Sequence, residues 1–481
     1  MRTRARKVQT EHTPQTLAGR VRRHGGLALL ETCPGEGAGG RYSFLAVAPF
    51  LAFRSTGARC EIQTGDAGQL LFGNPWRVMD ALLARYDLPA EADVPFPTGA
   101  CIGYWGYELR QFVEPKLRPH PVADLPLPDC WLGFYDSLVV FDHEAGGAWI
   151  VATGLQPDGS RSAAKALASE DFWRQQLESE PVTDRLMPRV PTTCVPELSR
   201  EDYLRCVVRA QAYIRQGDIY QANLAQRWEV RGRVDAWALY RRLAAASPAP
   251  YAACLEDADF GVVSASPELF LRGDGLHVET RPIKGTRPRG TDAFADAALA
   301  AELRASAKEQ AELTMITDLL RNDLGRVCSF GSVRVPELAR LEAYAQVQHL
   351  VATVEGRLRG DVTHLQALEK CFPGGSVTGA PKFRAMQIID ELEPFGRGPY
   401  TGALGYLGFN RQSQLSIIIR SAFCAGDAAW FYTGSGIVAD SDPAAEYAET
   451  LAKAGGLLEV LDSTASSQAS LASVDAGRLA A

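Results

Sequence analysis

Gly402-Ala-Leu-Gly-Tyr-Leu-Gly-Phe409, Ser416-Ile-Ile-Ile-Arg-Ser-Ala-Phe423 and Trp430-Phe-Tyr-Thr433 succeed one another with no helical segment between them. Each is an apolar run of strand length bounded by turn-forming residues. The texture recurs at Gln348–Arg357, Ala222–Val230, Ala252–Glu256, Gly261–Ala265 and Leu269–Arg272, and earlier at Leu27–Leu30, Tyr42–Phe53 and Ser137–Phe141. Helical periodicity appears at Trp76–Tyr86, Arg161–Glu180, Ala293–Leu320 (one helix or two), Lys382–Glu391 and Pro443–Leu461. Another helix starts at Ser199, a capping residue three before Asp202, and runs through Ile214. Strands and helices mix without regular alternation, which predicts an α+β fold rather than a doubly wound sheet. Pro181, Pro188, Pro191 and Pro196 mark a boundary between region 1–185 and region 196–462. Beyond it Ser463–Ser470 lacks large apolar residues, so 463–481 is expected to be a disordered tail.

The chain has 481 residues, 46% hydrophobic and 22% charged, with a net charge of −7. That balance suits a globular protein, and nothing in it suggests a nucleic-acid or acidic-membrane partner, so neither is expected; any basic function must be local. No run of about 18 apolar residues exists, so no transmembrane helix is expected. The basic N-terminus lacks an apolar stretch behind it, so no signal peptide is expected. The ten cysteines form no CxxC pair, and Cys101, Cys254 and Cys424 sit in apolar company. They read as small buried hydrophobes in a reducing cytoplasm, which gives a cytoplasmic localisation.

Chemistry concentrates in a few places. Thr280-Arg-Pro-Ile-Lys-Gly-Thr-Arg-Pro-Arg-Gly290 sets Lys284 among three arginines. Like charges disfavour an ammonium, so Lys284 reads either as a nucleophilic free base or as part of a basic anion-binding loop. Glu309 and Glu312, and likewise Glu446 and Glu449, stand three apart on helices and share a face. Each pair is a solvated acidic face or, with its counterpart, a set of hard oxygen ligands for Mg²⁺. Lys453 extends the second face. Cys371–Lys382 is rich in glycine before a helix, and Gly434-Ser-Gly436 follows a strand; such loops aim backbone N–H groups at anions. Arg420 closes an apolar strand, as a solvent-reaching end or a carboxylate clamp. Glu268, in Ser266-Pro-Glu268 after an apolar strand, would have a raised pKa and could donate a proton. His349 precedes an apolar strand and could serve only a local hydrogen bond.

Together, Gly217–Leu224, Ser266–Phe270, Asp318–Gly325, His349-Leu-Val351, Phe372–Lys382 and Gly434–Ile437 resemble the chorismate-utilising enzymes over about residues 200–460, and more weakly before that. The resemblance implies a large antiparallel-sheet sandwich flanked by helices. Within that family, anthranilate synthases typically read Pro-Ile-Ala-Gly where this chain reads Pro282-Ile-Lys-Gly285, the sequence of aminodeoxychorismate synthases. It therefore implies a transferase of the transaminase class that makes 4-amino-4-deoxychorismate for 4-aminobenzoate and folate; an anthranilate synthase component is the alternative. The implied catalytic residues are Lys284 as covalent nucleophile, Glu268 as general acid and His349. Thr378, Tyr400, Arg420, Gly434, Gly436 and Lys453 would contact chorismate, and Glu309, Glu312, Glu446 and Glu449 would hold Mg²⁺. Gln221 stands where the isochorismate and salicylate synthases place a water-activating lysine. No attached glutaminase is read, so ammonia is expected from a separate glutamine amidotransferase subunit. Leu30, Glu31, Tyr42, Ser43, Pro250 and Tyr251 resemble the walls of a tryptophan pocket, with Thr32 where anthranilate synthases usually have serine.

Overall fold

The computed structural model describes residues 2–33, 40–88, 94–120, 124–181, 192–344 and 346–461. The expected tail 463–481, and Pro188 and Pro191 of the expected boundary, lie outside the described residues.

Two 12-stranded sheets, antiparallel throughout, form a sandwich. The centre of the first sheet runs, in spatial order, Leu27–Glu31, Tyr251–Glu256, Phe260–Ser266, Ser421–Ala425, Ala428–Ile437, Gln221–Arg231. From its edge strand, the second runs Ile283–Pro288, Val347–Arg357, His277–Arg281, Leu269–Asp274, Gln412–Ile417, Ala403–Gly408, Ala100–Trp105, Cys130–Tyr135. Both sheets draw strands from each side of residues 185–196.

Phe44, Tyr104, Trp131, Tyr135, Leu224, Val262, Tyr406 and Phe423 fill the space between the sheets. The helices Pro14–Val21, Ala163–Glu178, Ala236–Ala246 and Pro443–Leu461 cover the outer face of the first sheet through Leu17, Trp173, Trp237 and Leu457. The helices Pro75–Leu83, Ala307–Gly325 and His364–Cys371 cover the second through Trp76, Met79, Ile316 and Leu368. Strands such as Ala100–Trp105 are buried at every position because both of their faces are covered, which is why they read as continuous apolar runs.

Local signals held at the helix expected from Ser199: it spans Arg200–Arg215, and the Ser199 hydroxyl accepts from the Asp202 N–H at 3.1 Å. The stretch Ala293–Leu320 resolves into two helices, Ala293–Ala305 and Ala307–Gly325. Two expected strands are corrected. Tyr42–Phe53 is Tyr42–Ala46 in the first sheet and Leu51–Thr56 in the second. Ser416–Phe423 breaks in the same way, Gln412–Ile417 lying in the second sheet and Ser421–Ala425 in the first. Each break holds a non-glycine residue in the left-handed region, Ala48 (φ 52°) and Arg420 (φ 54°), so the chain turns a corner there. Ser266-Pro-Glu268 is a further crossing, between Phe260–Ser266 and Leu269–Asp274.

All ten cysteines are free, and Cys101, Cys254 and Cys424 are buried. Among the described residues no helix is long and apolar enough to cross a membrane.

Candidate active site

The crossings that carry Glu268 and Arg420 lie side by side. Ile417 N–H donates to the Glu268 carbonyl at 3.1 Å, and Ala265 N–H donates to the Arg420 carbonyl at 3.1 Å. Ser266 Oγ donates to the Ile417 carbonyl at 2.7 Å, which fixes the backbone on which Glu268 stands. The Glu268 side chain is buried, and Ser376 Oγ donates to its Oε1 at 2.6 Å. Burial pushes this carboxyl up to about 7, against the opposing pull of Ser376, Lys284 and Lys453. The raised acid expected from the sequence is present.

Lys284 lies on the strand Ile283–Pro288, which pairs with Val347–Arg357 and is bulged between Lys284 and Thr286. The residue at the bulge must be glycine. Gly285 has φ 73°, and a Cβ there would stand 2.7 Å from Leu303 and 3.1 Å from Glu309 Oε2. Lys284 Nζ lies 3.6 Å from Glu312 Oε2. The like-charge reading of its surroundings is overturned, because each neighbouring arginine is paired: Arg281 with Glu342, Arg287 with Glu302 at 2.9 Å and Arg289 with Asp296 at 2.8 Å. A strand end interleaved with acidic partners replaces the basic loop.

Opposite Lys284 are the strands Gln221–Arg231 and Ala428–Ile437. A Cβ on Gly436 would lie 2.4 Å from Gln221 Nε2 and 3.5 Å from Lys284 Nζ. One on Gly434 would lie 2.8 Å from Asn223 Oδ1 and 3.0 Å from the Tyr400 hydroxyl. The two glycines therefore keep open the space into which these polar ends project. Both polar atoms of the Gln221 amide, and Asn223 Oδ1, are buried without a partner among the described residues. Orphaned groups of this kind are costly unless a ligand completes them. Asn223 was not singled out from the sequence; the two-residue spacing Gln221–Asn223 within a strand was the available signal.

Lys453 Nζ donates to the Gly434 carbonyl at 2.8 Å and pairs with Glu449 at 2.6 Å. Burial holds Lys453 below the usual lysine value against the pull of Glu449, with Arg420 and Lys284 adding to the depression. Burial pushes Glu449 up, but Lys453, Lys284 and Lys308 outweigh it and leave the carboxyl lowered. Arg420 is accessible to water yet surrounded by protein, as a group lining an open cleft is. Tyr400 stacks on Tyr432 with ring centres 4.8 Å apart. His349 Nδ1 is 3.0 Å from Thr286 Oγ1, and burial holds the imidazole down to about 4, so it is neutral. Thr378 is fully buried, and its hydroxyl donates to the Gly374 carbonyl at 2.9 Å, so it shapes the glycine loop.

The four glutamates offer only hard oxygen donors, the chemistry Mg²⁺ prefers. Glu312 and Glu449 share the cleft with Lys284 and Lys453, whereas Glu446 is buried and accepts from Ser441 Oγ at 2.6 Å. Among the described residues no three His, Cys, Asp or Glu side chains converge closely enough to hold an ion. The donor types fit magnesium; their spacing here does not form a closed coordination shell.

Leu30, Glu31, Tyr42, Pro250 and Tyr251 line one cavity with Thr32 and Gln414. Ser43 is not among its walls; its hydroxyl is bonded to the Thr32 N–H at 3.1 Å and to His143 at 2.7 Å. The cavity leaves about 20 Å³, room for about one water, against the few hundred Å³ usual for a small-ligand pocket.

The chain is 35% identical to aminodeoxychorismate synthase component 1 of Bacillus subtilis over 425 residues, 88% of this chain and 90% of that one. It is 36% identical to anthranilate synthase component 1 of Acetivibrio thermocellus over 460 residues, 94% and 93% of the two chains. The crystal structure of anthranilate synthase component I from Streptococcus pneumoniae superposes with a TM-score of 0.77 at 30% identity, covering 89% of this chain and 93% of that one. Residues 39–459 match the chorismate binding enzyme family as a whole, and the chain belongs to it.

Proposed function

We propose that the protein converts chorismate and ammonia to 4-amino-4-deoxychorismate, a precursor of 4-aminobenzoate and folate. One observation carries the reading: Lys284, of Pro-Ile-Lys-Gly, stands in the cleft within electrostatic reach of Glu268, a buried acid that holds its proton up to about neutral pH.

The Lys284 nitrogen forms a bond to C2 of chorismate. The C4–O bond breaks, and the oxygen leaves as water with the proton given up by Glu268. Ammonia then forms a bond to C4 and loses a proton, while the C2–N bond breaks and returns the electron pair to Lys284. Arg420, Lys453 and the Gly434 and Gly436 backbone receive the substrate carboxylates, and Gln221 and Asn223 gain the partners they lack. His349, being neutral, serves as a hydrogen-bonding group rather than a charge. Glu309, Glu312, Glu446 and Glu449 would hold Mg²⁺, which supplies a fixed positive charge for a substrate carboxylate. A separate glutamine amidotransferase would deliver the ammonia.

The second reading is an anthranilate synthase component, favoured by the 36% identity to such a protein over 94% of this chain. Incubation with chorismate, Mg²⁺ and ammonium, with and without chelator, separates the two. The expected product is aminodeoxychorismate, with turnover lost on chelation and a lysine adduct visible by intact mass that is absent in Lys284→Ala. Fluorescent anthranilate with no aminodeoxychorismate would sink the first reading.

A further inference from the structure

Ser376 and Glu268 are 108 residues apart in sequence and meet through one hydrogen bond, Ser376 Oγ to Glu268 Oε1 at 2.6 Å. No donor among the described residues reaches Oε2, and this oxygen, unlike Gln221 Oε1 and Asn223 Oδ1, keeps some exposure. Ser376 itself is held on both sides. It lies in the tight turn Gly375–Val377, where Cβ atoms on Gly374 and Gly375 would come within 2.5 Å of Ile417 and Leu319. Thr378 Oγ1 ties back to the Gly374 carbonyl at 2.9 Å, and Arg397 Nη1 donates to the Val377 carbonyl at 3.0 Å. Arg397 is buried, and Glu393, Thr401 and the Asn223 carbonyl take its remaining donors. The serine hydroxyl therefore has a fixed origin and one acceptor.

We propose that Ser376 is a positioning residue that keeps the transferable proton of Glu268 on Oε2, the oxygen that receives no donor from the protein. A protonated carboxyl has one O–H and one carbonyl-like oxygen. Donation from Ser376 makes Oε1 the acceptor, so the O–H must be Oε2. The inference rests on Glu268 acting as the general acid proposed above. When the acid acts, the Oε2–H bond breaks and a new O–H bond forms on the departing oxygen, which leaves as water. The carboxylate left behind keeps the bond from Ser376 and faces Lys284 from its strand and Lys453 from its helix.

The test compares wild type, Ser376→Ala and Ser376→Thr. Steady-state kinetics with chorismate, Mg²⁺ and ammonium are run across pH, and the Glu268 carboxyl band is titrated in the infrared, with Glu268→Gln identifying the band. In Ser376→Ala, kcat is expected to fall by about 10- to 100-fold while KM changes by less than about threefold, as for a misdirected acid. The alkaline limb and the infrared midpoint both move up by about half to one pH unit, because a donor to the anion is lost. Ser376→Thr restores most of both. Wild-type kcat with an unmoved limb in Ser376→Ala overturns the inference. If wild type does not turn chorismate over, the functional reading fails by itself. The infrared midpoint then decides: a rise in Ser376→Ala supports the inference, and an unchanged midpoint overturns it.

Discussion

Glu268 sets a measurable pH dependence of stability, and replacing it with glutamine isolates it. The side chain is 6% exposed, and burial lifts its carboxyl from an ordinary 4.5 to about 7. At about 1.4 kcal/mol for each tenfold change in proton affinity, carrying the charged form costs the fold about 3 kcal/mol. The folded state binds the proton more tightly than the unfolded chain, so between about pH 4.5 and 7 the unfolded chain holds fewer protons. Stability therefore falls as pH rises through that window, and the full cost is present above it. Glu268→Gln keeps the shape and an acceptor for Ser376 but cannot ionise. Urea unfolding of both proteins at pH 4.5 to 8.5 should show the variant near wild type at the acid end and about 3 kcal/mol more stable at the alkaline end. A difference that stays flat across that range refutes the reasoning, whatever the protein's substrate.

Gly436→Ala would place a methyl 2.4 Å from Gln221 Nε2 and 3.5 Å from Lys284 Nζ. Both contacts are ends of flexible side chains, so thermal unfolding should register a loss of only about 1 kcal/mol. The chorismate KM should rise by about tenfold or more because the cleft is filled; an unchanged KM would remove these glycines from the site. Lys382 Nζ pairs with Asp323 at 2.7 Å under the glycine loop, and both are largely buried. Asp323→Ala should cost about 3–5 kcal/mol by stranding the ammonium, whereas Asp323→Leu with Lys382→Met should cost distinctly less. Additive losses in denaturant unfolding would contradict a coupled pair.

The sequence carried the strand-rich α+β texture because buried strands write themselves as apolar runs. It failed where such a run passes from one sheet to the other. Tyr42–Phe53 and Ser416–Phe423 stay apolar across the corner, since both sides of each corner face a core, and neither Ala48 nor Arg420 advertises a positive φ. The edge strand Ala67–Phe72 was not singled out: it is exposed along most of its length, and its apolar run Leu70–Phe72 is too short to read as a strand by itself. At the site, Glu268 was legible as an acid after an apolar strand. The surroundings of Lys284 were not, because the carboxylates that pair with Arg281, Arg287 and Arg289 lie 61, 15 and 7 residues away, beyond any local reading. Ser376 lay in a quoted glycine loop, but only the folded chain shows which acid it meets.

The neighbouring corners at Glu268 and Arg420 have a consequence for assembly. Neither sheet owns the cleft: the acid and the arginine exist as a pair only where two strands leave one layer for the other. A chain begun at residue 196 would leave Ala403–Gly408 without Ala100–Trp105 and Tyr251–Glu256 without Leu27–Glu31. The stretch holding every proposed catalytic group is thus not a separable module. The strands that lead into the corners, Phe260–Ser266 and Gln412–Ile417, would then each rest on a neighbour with one open edge.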